Sequence, residues 1–159
     1  MSEESRILKG YISLPYRWAM GVTTTRFFEE FKNKKIMGTR CPKCNRVLIP
    51  ARSFCSHCFE KISEWVEVAQ EGTLKTWVLI NFSYEGQPKE PPYIIGIIDL
   101  DGASVGLPHF VGGVVMDDIE ETAKKVRIGG RVKAVWKENR EGNILDIDYF
   151  QPIDQEISI

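Results

Sequence analysis

Histidine is scarce in this chain: His57 and His109 are the two among 159 residues. So little imidazole leaves histidine-assisted acid–base or nucleophilic catalysis with little to draw on. Cysteine is equally sparse, and all four residues fall in metal-ligand spacing, so no thiol is left over as a nucleophile. The chain has no G-x-S-x-G elbow, no P-loop, no G-x-G-x-x-G fingerprint and no H-E-x-x-H helix. No apolar run approaches the roughly 20 residues of a membrane span. Residues 1–9 carry too much charge and too few apolar side chains for a signal peptide. These absences predict a cytoplasmic protein with no membrane partner and no catalytic residues of its own. His109 follows Pro108 in a segment without a nucleophile motif, and reads as structural or exposed rather than as a general base.

The cysteines themselves are the strongest positive signal. Cys41-Pro42-Lys43-Cys44 and Cys55-Ser56-His57-Cys58 are two C-x2-C pairs separated by ten residues. Each pair can form a tight knuckle with both thiolates aimed at one ion, and two knuckles complete the closed tetrahedral shell that structural zinc prefers. The expected load is one zinc per chain, held by Cys41, Cys44, Cys55 and Cys58. The gap is shorter than in most zinc ribbons, which leaves iron in a rubredoxin-like site open, along with disulfides or free thiols. His57 could replace one cysteine as a ligand, but four thiolates already fill the shell. Asn45, directly after Cys44, suits a left-handed turn out of the first knuckle.

A net charge of −1 conceals a polarity along the chain. Residues 26–52 hold eight basic side chains against Glu29 and Glu30, near +6, whereas residues 60–159 hold ten basic against eighteen acidic ones, near −8. Two solvated surfaces of opposite sign would account for this. The functional alternative is a phosphate-bearing ligand or acidic partner met on the ribbon side. An acidic C-terminal part disfavours nucleic acid, the main competing reading for a chain with a zinc ribbon and a small barrel.

Three parts follow from periodicity and turn signals. Residues 1–35 form an aromatic arm, including Tyr16 and Trp18, and then one short helix. Thr24 or Thr25 is expected to cap the helix, with Phe27, Phe28 and Phe31 on one face and Lys32, Lys34 and Lys35 at its end. Three rings on so short an element need a surface to cover, either the chain's own core or a partner protein. Residues 36–62 form the ribbon, with strands at Ile36–Arg40 and Val47–Ile49. Residues 63–159 are strand-rich, beginning with Trp65–Val68 and Thr73–Phe82. The Asp101-Gly102 turn joins strands at 93–100 and 103–107. A brief helix over 117–125 precedes strands at 131–136 and 144–150. The fold expected is mainly β, with an N-terminal short helix, a rubredoxin-like zinc ribbon and a C-terminal OB-fold barrel, a short sandwich being compatible with the same pattern.

The combination of Ile36-x-Gly38-x-Arg40-Cys41-Pro42-x-Cys44, Pro50-x-x-x-Phe54-Cys55-x-x-Cys58, Glu64-Trp65-x-Glu67 and Glu71-Gly72-Thr73 resembles the DUF35 family. Ile128-Gly129-x-x-Val132 and Phe150-x-Pro152 extend the resemblance over nearly the whole chain, although Ala51 stands where the family often has a second proline. The resemblance implies a non-catalytic accessory subunit of a thiolase-superfamily enzyme, in hetero-oligomeric complex with it, such as the benzoylsuccinyl-CoA thiolase type. It further implies a share in a CoA or acyl-CoA site. On that basis Tyr16, Trp18, Phe27, Phe28 and Phe31 are candidates for partner binding. Lys43, Arg46 and Arg52 are candidates for the CoA phosphates, and Trp77, Phe82 and Tyr93 could line a groove for pantetheine if they are not barrel core.

Overall fold

In the computed structural model, which describes Gly10 and residues 16–116 and 118–153, the first element is a helix, α1 (Gly21–Glu29). It tightens into a 3-10 turn over Glu30–Asn33 and ends at Lys34, whose φ of 55° reverses the chain. The helix starts earlier than Thr24 or Thr25, after Met20, and no side chain caps it. Thr25 instead lies inside, where its hydroxyl donates to the Gly21 carbonyl at 2.7 Å, an internal bond that lets threonine sit in a helix without capping it. Phe27 and Phe31 are fully buried and Phe28 half-buried. The three rings meet edge-on at centroid distances of 4.9–5.8 Å, and Phe31 also meets Trp136 at 5.4 Å. The expectation that Phe27 and Phe31 face a partner is therefore corrected: the helix turns both into the chain's own core.

Strands β1 (Ile36–Arg40), β2 (Val47–Leu48) and β3 (Glu64–Val68) form an antiparallel sheet in the order β2-β1-β3. The sequence division puts residues 64–68 with the barrel, but all five pair with β1, from Ile36 opposite Val68 to Arg40 opposite Glu64. This pairing also redistributes charge. It brings Glu64 within 3.1 Å of Arg40 and Glu67 within 3.6 Å of Lys35, while Glu60 lies 3.7 Å from Lys43. Acidic residues from the following, acidic part of the chain thus neutralise part of the basic run over 26–52, and the polarity along the sequence is not carried intact to the surface.

The remaining strands close a barrel: β4 (Glu71–Ile80), β5 (Tyr93–Leu100), β6 (Leu107–Val111), β7 (Arg131–Trp136) and β8 (Ile147–Pro152), in the order β4-β5-β6-β8-β7. The second residue of β4 is glycine, Gly72, because a Cβ there would strike the Asp99 carbonyl and come within 2.8 Å of Leu100 Cα. The Asp101-Gly102 turn forms, with Gly102 at φ 88° and Ala103 N–H donating to Leu100 O at 3.0 Å. Its return strand starts only at Leu107, not Ala103, which places His109 inside β6. Arg131, at the start of β7, grips Asp101 with two bonds of 2.8 and 2.5 Å and lowers its pKa, tying the turn across the barrel end. Helix α2 (Ile119–Lys125) lies between β6 and β7, and the Asp118 side chain caps it by accepting from Glu120 and Glu121 N–H at 2.7 and 3.0 Å.

One apolar cluster runs through the molecule. It joins Phe27 and Phe31 of the helix region, Ile36, Val47, Ile49 and Val68 of the ribbon sheet, and Leu74, Ile94, Ile98 and Phe150 of the barrel. Polar links accompany it: Ser104 exchanges bonds of 3.0 and 2.8 Å with the Val47 backbone. Gln70 donates to Lys34 O at 2.6 Å and accepts from Trp136 Nε1 at 2.7 Å. No helix among the described residues is long and apolar enough to cross a membrane.

Candidate metal centre

The two knuckles are built alike. In the first, Cys41 N–H donates to Arg46 O at 2.9 Å and Asn45 N–H to Cys41 O at 3.0 Å. In the second, Cys55 N–H donates to Glu60 O at 2.9 Å and Phe59 N–H to Cys55 O at 3.0 Å. Each turn needs a left-handed residue four positions after its first cysteine, Asn45 at φ 57° and Phe59 at φ 56°. Asn45 was legible in the sequence. Phe59 was not, since an aromatic side chain gives no hint of left-handed backbone, and only the repeated four-residue offset could have pointed to it. β1 delivers Cys41, and the bridge between Phe54 and Lys61 closes the base of the second knuckle around Cys55.

All four Sγ atoms lie within 4.8 Å of one another, Cys41 to Cys58 at 3.3 Å, Cys44 to Cys55 at 3.6 Å and Cys44 to Cys58 at 3.8 Å. A tetrahedral ion with metal–sulfur bonds of about 2.3 Å has sulfur–sulfur edges of about 3.8 Å, so the donor set fits zinc in both chemistry and spacing. Cys41 and Cys55 are buried beside Leu48 and Ile62, the only aliphatic side chains of this small cluster among the described residues. Burial opposes ionisation of Cys41, but N–H groups of Cys44 and Lys43 aimed at its sulfur outweigh it and lower its pKa. N–H groups of Cys58 and His57 draw Cys55 down to about 6, and close contact with the Cys41 thiol, together with burial, pushes Cys58 up to about 12. Without a cation the crowded sulfurs cannot all ionise, whereas a bound metal displaces the remaining protons. Those backbone donors are part of the site that residue spacing alone did not reveal. His57 is exposed and lies outside the thiol cluster.

Two family profiles match the chain. Residues 28–63 match the ChsH2 rubredoxin-like zinc ribbon domain and residues 65–137 the ChsH2 C-terminal OB-fold domain. A "DUF35 domain-containing scaffold protein" of Methanocaldococcus jannaschii is 30% identical over 125 residues, covering 75% of this chain and 82% of that protein. The chain belongs to the DUF35 family. Among solved structures, a DUF35 protein of unknown function from Sulfolobus solfataricus superposes with a TM-score of 0.58 at 28% identity, over 83% of this chain and 84% of that one. A chain of the Ltp2-ChsH2(DUF35) aldolase gives a TM-score of 0.63 at 22% identity, over 86% of this chain and 98% of that one, a likeness of fold.

The other candidate residues of this DUF35 chain are dispersed. Tyr16 and Trp18 are 80% and 61% exposed. Lys43, Arg46 and Arg52 are exposed. Lys43 is engaged by Glu60 at 3.7 Å, whereas Arg46 and Arg52 have no ion-pair partner among the described residues. The aromatic groove is corrected. Strand register puts Ile80 opposite Tyr93 and Trp77 opposite Gly96, so Trp77 and Tyr93 fall on opposite faces of the barrel wall. Trp77 packs on the core, Tyr93 is buried against Phe110, and Phe82 is exposed, so the three do not line one channel.

Proposed function

We propose that this chain is a non-catalytic, zinc-binding accessory subunit of a thiolase-superfamily enzyme, forming a hetero-oligomer that acts on an acyl-CoA. The observation that carries the reading is the closed donor set. Among the described residues, the one group of His, Cys, Asp or Glu side chains close enough to hold a metal is the four thiolates, which leave no coordination position for a substrate. A metal bound there supplies a structural cross-link to the ribbon. Membership of a family that includes a protein called a scaffold, and likeness of fold to a chain of the Ltp2-ChsH2(DUF35) aldolase, support a partner-binding role.

In this reading the arm and helix (1–35), the ribbon (36–62) together with β3, and the barrel that follows are the working parts, and Tyr16 and Trp18 are anchors for the enzyme subunit. Exposed aromatic rings of this kind dominate many interfaces. The exposed cations Lys43, Arg46 and Arg52 contribute to holding the phosphates of CoA or acyl-CoA at the shared site. The test is co-expression with thiolase-superfamily subunits of the same genome, followed by size-exclusion chromatography at micromolar concentration and a thiolysis assay with and without this chain. A stable complex whose activity depends on the chain is expected. Separate elution from every candidate, with full activity of the large subunit alone, overturns the reading.

A further inference from the structure

The outer wall of the barrel is apolar where β4, β5 and β6 run side by side. Val78 of β4 lies opposite Ile95 of β5, which lies opposite Phe110 of β6, and Ile97 in the next row lies opposite Pro108 and Thr76. The irregularity between Leu74 and Thr76 sets this up. It lets Leu74, before the bulge, and Leu79, after it, both pack with the core, and leaves Val78 outside. Val78 is 51% exposed and Ile97 38%. At the end of the same hairpin, Phe82 and Tyr84 are 60% and 50% exposed, with ring centroids 6.0 Å apart. The loop folds back far enough to put the Tyr84 hydroxyl 3.5 Å from that of Tyr93, but it leaves Val78 and Ile97 open.

No charged residue lies in either row, and the bordering Lys75 and Asp99 are paired with each other at 3.4 Å. The solvent side of an antiparallel sheet is ordinarily polar, and a contiguous apolar patch marks a contact surface. The one cation beside these rows is Lys89, whose Nζ lies 5.9 Å over the Phe110 ring, and a lone cation is too little to hold nucleic acid or an anionic lipid surface, so the matching chemistry is the apolar face of a folded protein. Size points the same way. The rings of Tyr16 and Trp18, each worth about 150–250 Å² at most, fall well short of the roughly 800 Å² per partner of a stable interface.

We propose that this face, centred on Val78, Ile95, Ile97 and Phe110 and edged by Phe82 and Tyr84, is a docking surface for the enzyme subunit. The inference rests on the accessory-subunit reading above and supplies the contact area which that reading needs.

Val78→Glu and Ile97→Lys each place a charge in a row that is open enough to accept it without disturbing the core. Both variants and the unaltered chain are titrated against the co-expressed thiolase-superfamily subunit by interferometry, with metal content and thermal melting confirming that each variant is folded. The expected result is tight binding by the unaltered chain and at least tenfold weaker binding by each variant, as when a central apolar contact is lost. Equal affinity for all three overturns the docking face and leaves the accessory reading intact. No binding by the unaltered chain defeats both. Light scattering of the chain alone decides the remaining case: a dimer that either variant dissolves, with enzyme affinity unchanged, identifies the occupant as a second copy and overturns the proposal.

Discussion

His109 shows at the scale of one residue how burial creates a pH dependence. Its ring is buried in β6, its Nε2 lies 2.9 Å from the Ile144 carbonyl, and its Nδ1 has no hydrogen-bond partner among the described residues. Nε2–H is therefore the donor, and the ring is neutral. Burial lowers its pKa from the ordinary 6.5, outweighing the opposing pull of the Ile144 carbonyl and Asp148. Between that lowered value and 6.5 the unfolded chain binds more protons than the folded one. The stability contributed by the neutral ring is thus complete above pH 6.5 and is lost as pH falls below it. Urea denaturation at a series of pH values from about 7 to 5 is expected to show a steeper loss of stability for the unaltered chain than for His109→Leu, which has no group to titrate there. Phe59 carries a different residue-scale cost. An exposed phenylalanine held at φ 56° is strained, and Phe59→Asn is expected to raise stability by about 0.5–1 kcal/mol in denaturation with metal in excess.

At the scale of elements, α1 and its 3-10 extension act as a wedge between ribbon and barrel. Phe31 reaches Trp136 of β7, Arg140 Nε donates to Lys32 O at 2.9 Å, and the helix abuts β1. Phe31→Ala is expected to cost about 3–5 kcal/mol of folding stability by leaving a cavity where these elements meet, read as a lowered denaturation midpoint. A binding defect in that variant, or in Phe28→Ala, would also report lost structure, so Tyr16→Ala and Trp18→Ala, at exposed positions, are the proper probes of partner contact. The helix and its aromatic face were legible in the sequence from the spacing of three phenylalanines. Which rings turn inward was not, because part of the surface they cover comes from Trp136 of β7, far away in the chain.

For the whole molecule, the shared core makes the metal everyone's concern. The thiol cluster includes only Leu48 and Ile62 as aliphatic support, yet Val47 and Ile49, flanking Leu48, belong to the cluster that continues into the barrel. Removing the metal with a chelator is expected to lower the melting temperature of the barrel as well as the ribbon, by about 10 °C or more, given several kcal/mol of lost metal binding and about 2–4 °C per kcal/mol for a chain of this size. Tryptophan fluorescence reads it, since Trp65 lies in the ribbon sheet and Trp77 and Trp136 in the barrel. Cys41→Ser or Cys58→Ser, each with a three-thiolate shell, is expected to bind less than one metal per chain by elemental analysis and to reproduce the chelated melting curve.

Sequence alone determined what is local. Two C-x2-C pairs specify a four-thiolate site, because a knuckle is closed within a few residues, and Asp101-Gly102 specifies a hairpin turn for the same reason. Alternation and turn residues marked six strands after residue 62, five of which close the barrel. Only the tertiary structure decided the pairings between distant segments. It gave Glu64–Val68 to the ribbon sheet and matched Glu60, Glu64 and Glu67 with basic partners, offsetting part of the polarity along the chain. It also shifted the return strand to 107–111, enclosing His109. The bulge between Leu74 and Thr76 reversed which β4 residues face outward, and with a period of two, one extra residue is enough to carry a side chain from core to surface. No window of sequence contains the partner strand that makes such a bulge necessary.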